Sequence, residues 1–414
     1  MTRVAQSIEE VVRSGLCIGC GLCETVTGGS VQMCMTTYGS LRPTPTDTFT
    51  PEQELQLLAA CPGVTVEPRI EPGLESDPIW GTYSDMRYAW AGDQDVRFRA
   101  ATGGVLTALG VHLLRSNKAS FILHTGADPE QPMRSRWVLS ETPQQVIANS
   151  GSRYGPTAPL GGLLKALRRA EPFAIIAKPC DLNAVHRFAM TESSLDELCV
   201  ARLVMVCGGQ SRLSKSQALL DEFVIKEIDL SLFRYRGYGN PGLTRIETSD
   251  GQAFEKTYLE LWEDSEKWQL ETRCKLCPDA LGEAADVAAA DVWPGGSPTG
   301  EDAGFNGLIV RTACGKALVA AAAEAGDLVL GEPITARQLD DFQPHQVRKK
   351  EALTARYEGL NQAGLPAMET PGLRLEVLGQ RLDPQTRRNQ IAGTVRRVQQ
   401  GRVVESPTPE KLPD

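Results

Sequence analysis

Phe173-Ala174-Ile175-Ile176-Ala177-Lys178-Pro179-Cys180 is the stretch on which the fold turns. Its first five residues are apolar, too few for a buried helix, and read as a strand covered on both faces. Lys178-Pro179 closes that run. Proline suits the first turn of a helix, and Asp181 can cap the helix that follows, around Asn183 to Phe188. A second apolar run, Ala201 to Val206, comes next. Strand, helix and strand in this order predict a mainly parallel sheet with helices on both faces.

The same texture extends outward. Gly103-Gly104 opens a helix bearing Val105, Leu106, Leu109 and Leu113, and Phe121 to Leu123 is a short strand. Thr142, Pro143 and Gln145 form a capping signature, and Leu163 to Arg169 is helical. Asp250-Gly251 marks a hairpin turn, and strand Leu308 to Arg311 precedes an Ala-rich helix from Lys316 to Ala325. Ahead of this core, Thr50, Pro51 and Gln53 start a helix that delivers the chain to Cys61-Pro62. Glu67 to Pro78, rich in Pro, Gly and acids, reads as a linker. Beyond 345 the chain is polar and helical in pattern, with 12 Lys/Arg against eight Asp/Glu, and reads as a solvated arm or a docking face for an acidic electron donor.

The chain has 414 residues, 41% hydrophobic and 23% charged, which suits a globular protein of two or three lobes. A net charge of −9 argues against a nucleic-acid binder. No apolar run is long enough to span a bilayer, and the first residues, with Arg3, Glu9, Glu10 and Arg13, lack a secretory pattern. The expected location is the cytoplasm. There a disulfide framework built from 11 cysteines is unfavourable, and metal or cluster ligation explains them better. The four histidines, His112, His124, His186 and His345, are scattered, which disfavours a mononuclear zinc or non-haem iron enzyme.

Cys17-Ile-Gly-Cys20-Gly-Leu-Cys23 has the C-x2-C-x2-C spacing with which three thiolates wrap an iron–sulfur cube, and the glycines let the backbone approach it. In two-cluster ferredoxins the cysteine before proline ligates the other cluster. Here Cys61-Pro62 stands alone downstream, so one cluster held by Cys17, Cys20, Cys23 and Cys61 follows. The alternative is a zinc site or idle thiols; Cys34, either a substitute for one ligand or a packed or free thiol, is left out. The second set is dispersed. Cys180 and Cys207 each follow an apolar strand, on the edge where α/β proteins build their sites, and Cys274-Lys-Leu-Cys277 completes four thiolates. Read alone, that C-x2-C admits zinc, redox or cluster chemistry. Cys199 and Cys314 read as core thiols. Thr102-Gly103-Gly104 at a helix start is a phosphate cradle in outline, without a G-x-G-x-x-G or P-loop pattern.

Ala101 to Leu109 (ATGGVLTAL), Lys178-Pro179-Cys180, Phe233 to Gly242 (FRYRGYGNPG) and Arg273 to Trp293 together resemble the coenzyme F420 hydrogenase/dehydrogenase beta-subunit family, over about residues 10 to 345. That family includes beta subunits of deazaflavin-reducing hydrogenases and formate dehydrogenases, and single-chain relatives such as divinyl chlorophyllide and hydroxymethyl chlorophyll reductases. The resemblance implies FAD in the α/β domain, one or two 4Fe–4S clusters and two-electron transfer at the flavin. It places Thr102, Gly103 and Gly104 at the FAD phosphates and Cys180, Cys207, Cys274 and Cys277 around the inner cluster. Arg153, Lys178 and Asn306 fall in segments near the flavin. The pigment reductases have a different N-terminal cysteine arrangement, and the tail beyond 345 has no counterpart in the short hydrogenase subunits.

The fold expected is an α/β core with a mainly parallel sheet, a small N-terminal ferredoxin-like iron–sulfur segment (1–75) and a helical C-terminal tail (346–414), the core falling into 76–165 and 166–345. The function expected is an FAD-dependent iron–sulfur oxidoreductase. A ferredoxin or similar low-potential donor would reduce the clusters, the flavin would collect two electrons, and a small organic acceptor would receive them. A homo-oligomer or a larger redox complex is compatible with this, with no nucleic acid and no membrane span. One rival is an electron-transfer subunit of a larger hydrogenase or dehydrogenase linked to coenzyme F420. Another is a zinc-stabilised binding module without redox activity.

Overall fold

The run Phe173–Ala177 is a strand in the middle of an eight-stranded sheet in the computed structural model, which describes residues 3–263 and 269–405. In chain order the strands of that sheet are β1 (Asp85–Ala91), β2 (Phe121–Ala127), β3 (Ser135–Ser140), β4 (Phe173–Ala177), β5 (Cys199–Met205), β6 (Val287–Asp291), β7 (Asn306–Val310) and β8 (Leu328–Pro333). Across the sheet they run β8-β1-β7-β6-β5-β4-β2-β3. The four central strands, β6, β5, β4 and β2, are parallel, with Ile176 opposite Leu203 and Ile175 opposite Leu123. The outer pairings are antiparallel. The mainly parallel sheet expected is therefore parallel at its centre and mixed overall. Local periodicity could not reveal this, because β1 finds its partners β7 and β8 more than 200 residues further along the chain.

Phe173, Ala174 and Ile175 have no solvent exposure, and the Phe173 ring stacks on Phe121 at 5.3 Å between centroids. Truncating such a ring costs about 3–5 kcal/mol. One sheet face packs on helix α1 (Val105–Arg115) through Ile122, Ala174, Leu203 and Leu308. The other face packs on helix α2 (Pro179–Ala189) and, through the same core, on Leu16 and Leu22 of the N-terminal segment and Leu353 and Leu360 of the tail. At the start of α2, Asp181 accepts the Lys178 amide at 3.2 Å, the cap read from the sequence. The Thr50 and Thr142 capping boxes are also present. The Asp250-Gly251 turn joins Thr244–Thr248 to Ala253–Lys256 in a separate three-stranded antiparallel sheet.

Four further helices position the site: α3 (Thr272–Lys275), α4 (Pro344–Gln362), α5 (Leu375–Gly379) and α6 (Pro384–Gln399). The tail is helical as expected, but its described part is no solvated arm. Leu353, Tyr357, Leu360, Leu373 and Leu378 are buried, and Lys350 reaches the fully buried Glu283. Residues beyond 405 lie outside the described part. The tail also pairs with the N-terminal segment: the Val66 amide donates to Glu369 O at 2.9 Å and the Glu405 amide to Arg13 O at 2.9 Å. The expected linker 67–78 is likewise docked. The Arg69 amide donates to Glu283 O at 3.0 Å, and Glu75–Asp77 pairs with Gly81–Tyr83. Its polar composition reflects backbone bonding to neighbours rather than freedom. Among the described residues no helix is long and apolar enough to cross a membrane.

Candidate functional site

The first cysteine run wraps a turn that only small residues can make. Gly19 has φ +75°, and a Cβ there would lie 2.6 Å from Leu41 O. Gly21 has φ +89°, and a Cβ there would lie 2.5 Å from Gly161 N. The glycines thus admit neighbouring backbone, which anchors the turn further: the Leu160 amide donates to Cys20 O at 3.0 Å, and Gln210 Nε2 to Ile18 O at 3.2 Å. Cys61, at the end of helix Pro51–Ala60, joins this turn, and the charges of Cys17, Cys20, Cys23 and Cys61 act on one another. Burial pushes the Cys17 thiol up to about 12 against the opposing charge of Arg42, and raises Cys20, Cys23 and Cys61 as well.

The second group assembles from four places. Cys180 stands in the first turn of α2, Cys207 just beyond β5, Cys274 on α3, and Cys277 after it. Together with Lys178 and Arg273 they line one small cavity. The Cys207 amide donates to Ala280 O at 2.9 Å, and the Gln210 amide to Cys274 Sγ at 3.3 Å. Burial pushes Cys274 up to about 12, and raises Cys180 and Cys207. Thiols so desolvated keep their protons at neutral pH unless a metal replaces them.

Each set offers four thiols, the donor type and number that an iron–sulfur cluster takes and that zinc takes as well. The other cysteines stand apart. Cys34 faces Arg42 across a hairpin, Cys199 donates to Ala201 O at 3.6 Å, and Cys314 to Val200 O at 3.2 Å.

Arg273 lies between the two groups. Wholly buried, its Nε and Nη2 donate to Pro62 O at 3.2 and 2.8 Å, next to Cys61, while its charge acts on Cys180 and Cys277. Asp181 acts on both Cys20 and Cys180. Sequence reading missed Arg273 although it adjoins a ligand candidate, because nothing local shows that Pro62 folds back onto it.

A cleft of about 540 Å³ opens beside the second group and shares Lys178, Cys207, Gly209 and Gln210 with its cavity. That size is typical of a cofactor pocket. Tyr154, Tyr258, Trp262 and Trp293 furnish aromatic wall, and the buried Trp293 Nε1 has no partner among the described residues. At the mouth of α1, Thr102 and Gly104 border the cleft. Asn306 Oδ1 already accepts the Gly103 and Val105 amides, at 3.0 and 3.3 Å, and Thr102 Oγ1 donates to Asp291. Gly104, at φ +73°, is the N-cap. In the first turn of α1 the amides of Leu106 and Thr107 have no intrahelical partner, and both residues border the cleft.

Arg153 borders the cleft, but its guanidinium is spent on Ser135 Oγ and the carbonyls of Pro132, Met133, Arg134 and Phe233. Lys178 donates to Thr157 Oγ1 at 2.6 Å and pairs with Asp181 at 2.9 Å. Arg236, which the sequence did not single out, ties the site together: it binds both Asp291 oxygens at 3.1 Å, Thr102 Oγ1 at 3.1 Å and Pro241 O at 2.8 Å. Its place between Tyr235 and the Gly237-to-Gly242 turn was the available signal. His124, hydrogen-bonded to Ser140 Oγ at 2.7 Å, is pushed down to about 4 by burial and is neutral at pH 7.

Two family models, for the N-terminal and C-terminal parts of the coenzyme F420 hydrogenase/dehydrogenase beta subunit, match residues 86–165 and 170–335 respectively. The coenzyme F420 hydrogenase subunit beta of Methanothermobacter thermautotrophicus is 22% identical over 258 residues, 60% of this chain and 84% of that protein. The F420-dependent formate dehydrogenase 1 subunit beta of Methanococcus maripaludis is 25% identical over 59% of this chain and 60% of its own length. The coenzyme F420-dependent sulfite reductase of Methanocaldococcus jannaschii is 23% identical over 75% of this chain, which spans 46% of that protein. A chain of the F420-reducing NiFe hydrogenase complex from Methanosarcina barkeri superposes with a TM-score of 0.55 at 18% identity, covering 72% of this chain and 99% of that one. With the two models spanning more than half of its length, the chain belongs to the coenzyme F420 hydrogenase/dehydrogenase beta-subunit family.

Proposed function

We propose that the chain is an iron–sulfur flavoprotein oxidoreductase that takes electrons from a low-potential, ferredoxin-type donor and delivers them in pairs to a small organic acceptor. The observation that carries this reading is the common wall: the cavity of Cys180, Cys207, Cys274 and Cys277 opens against the large cleft through Lys178, Cys207, Gly209 and Gln210. Cys17, Cys20, Cys23 and Cys61 would hold one 4Fe–4S cluster in a ferredoxin-like manner, and the cavity cysteines a second. Bound clusters supply one-electron transfer, and FAD supplies the conversion of single electrons into a two-electron reduction.

The protein's own residues prepare this. Arg236 and Asn306 lock the strand ends at the cleft, the Leu106 and Thr107 amides offer an anion site for phosphate, and the aromatic walls suit a flat ring. Lys178 holds a positive charge where ring and cysteine cavity would meet, favouring a reduced, anionic ring.

The relatives' names favour a second reading, in which the cleft serves coenzyme F420 and the chain works within a larger redox complex. Anaerobic purification with iron, sulfide, zinc and flavin analysis tests both. The expected protein is brown, contains FAD, and loses iron from one group in Cys20→Ser and from the other in Cys277→Ser. Binding of F420 without FAD selects the second reading. Stoichiometric zinc, or iron unchanged in both variants, refutes the cluster assignment.

A further inference from the structure

The charges of Arg397 and Arg402 on the tail act on Lys275, which follows Cys274 on α3. Arg212 and Arg356 join them, Arg356 donating to Lys275 O at 2.7 Å. Lys275, Arg397 and Arg402 are exposed, and the other two are half-buried. Glu271 lies 4.0 Å from Arg212 Nε, but it is fully buried and already bound by Arg42 at 2.7 Å. Five converging cations repel one another, on a chain whose net charge is −9. Such a local inversion of charge suits a complementary partner.

Its position fits electron entry. Lys275 is bonded to Cys274, and the stretch of tail next to Arg402 lies against the approach to Cys17: a Cβ on Gly15 would meet Val403 O at 2.4 Å and Thr272 at 3.1 Å. Arg397 and Arg402 lie outside the segments matched by the family models, which end at 335, whereas Arg212 and Lys275 lie within them.

We propose that Arg212, Lys275, Arg356, Arg397 and Arg402 form the docking surface for an acidic iron–sulfur electron-carrier protein. It rests on the redox reading above. One electron leaves the reduced carrier and one is gained at the protein's cysteine-bound iron, with no bond made or broken.

The test uses iron-loaded, full-length protein, reduced plant-type ferredoxin as the acidic probe, and photoreduced 5-deazariboflavin as a neutral small reductant. Bleaching by ferredoxin should slow at least tenfold from low to high salt. In R397E/R402E it should slow by a similar factor at low salt, while the neutral reductant bleaches wild type and variant alike. A ferredoxin rate insensitive to both salt and charge reversal overturns the surface. So does equal slowing with both reductants, or salt-sensitive binding of an oligonucleotide without salt-sensitive reduction. The wild-type salt dependence needs no variant and decides the matter should the double variant fail to fold. Wild-type protein purified without iron would remove the redox reading, and the surface's role with it. That result is distinct from iron-loaded protein that ignores salt.

Discussion

Glu283→Gln should loosen the tail from the core by a predictable amount. The Glu283 side chain is 1% exposed; its two oxygens take Lys350 Nζ and Arg374 Nη2, and Lys350, 4% exposed, has Ile79 O as its remaining partner at 2.6 Å. An amide of the same shape offers one acceptor oxygen in place of two and no charge, so the buried ammonium loses its counter-charge. Breaking one partner of such a pair costs about 3–5 kcal/mol. The lower end applies because Arg374, 21% exposed, can turn to water. About 3 kcal/mol corresponds to roughly 100-fold in the opening equilibrium.

Hydrogen exchange read by mass spectrometry should therefore accelerate about 100-fold in α4 and α5 while β4 stays protected. Iron should also be lost faster in air, because α4 holds the Cys207 carbonyl through Gln346 Nε2 at 2.8 Å and the Leu276 carbonyl through Tyr357 Oη at 3.0 Å. The same pair carries a pH signature. Burial alone would raise Glu283, but Lys350, Arg374 and Arg311 outweigh it and hold it below 4.5. Its folded value being lower than its unfolded one, the stabilisation is complete above about pH 4.5 and fades as pH falls through the folded value. Glu283→Gln removes that acid dependence. A change under about threefold in α4, or equal acceleration across the sheet, refutes the idea that this pair fastens the tail.

Arg273→Gln should keep its iron and lower the potential of both cysteine-bound centres, because one guanidinium serves Pro62 O beside Cys61 and the charges of Cys180 and Cys277. A tenfold shift in the reduced-to-oxidised ratio, about 59 mV for one electron, is the expected scale. Redox titration followed by electron paramagnetic resonance reads it, and movement of one centre alone counts against the bridging position. Asn306→Asp keeps an acceptor for the Gly103 and Val105 amides, loses the Nδ2 donation to Ala290 O at 3.2 Å, and should weaken FAD about tenfold by placing negative charge at the α1 start. Flavin retention on a desalting column measures this, and unchanged retention places the phosphates elsewhere. Gly21→Ala should strip iron from the Cys17 group, because its Cβ would stand 2.5 Å from Gly161 N; full iron content would show that the turn can give way.

Much of the fold was written locally. Phe173–Ala177 followed by Lys178-Pro179 specified a strand and the start of α2, and the Thr50 and Thr142 boxes specified helix starts, because each signal acts within one or two turns of chain. The antiparallel outer strands were not legible, since β1 pairs with segments far along the chain. Nor was the docking of residues 67–78, which read as a linker because their bonds go to distant carbonyls and side chains.

In the site, Asn306 was placed near the cofactor by resemblance; it borders the cleft, and its two accepted amides show that it also caps α1. Arg236 and Arg273 went unseen, and the basic excess of the tail was read without its meeting with Arg212 and Lys275, because charged side chains acquire roles from what tertiary packing sets against them. Spacing alone was enough to tie Cys17, Cys20 and Cys23 together: two-residue spacers on glycine-bearing backbone leave thiols little room to separate. It took the folded sheet to bring Cys180, Cys207, Cys274 and Cys277 into one cavity, to link them to Cys61 through Arg273, and to open that cavity on the cleft. The difference is one of range. Spacing constrains groups within a turn, whereas residues brought together from a helix, a strand end and a loop meet only once the sheet has set the distances between them.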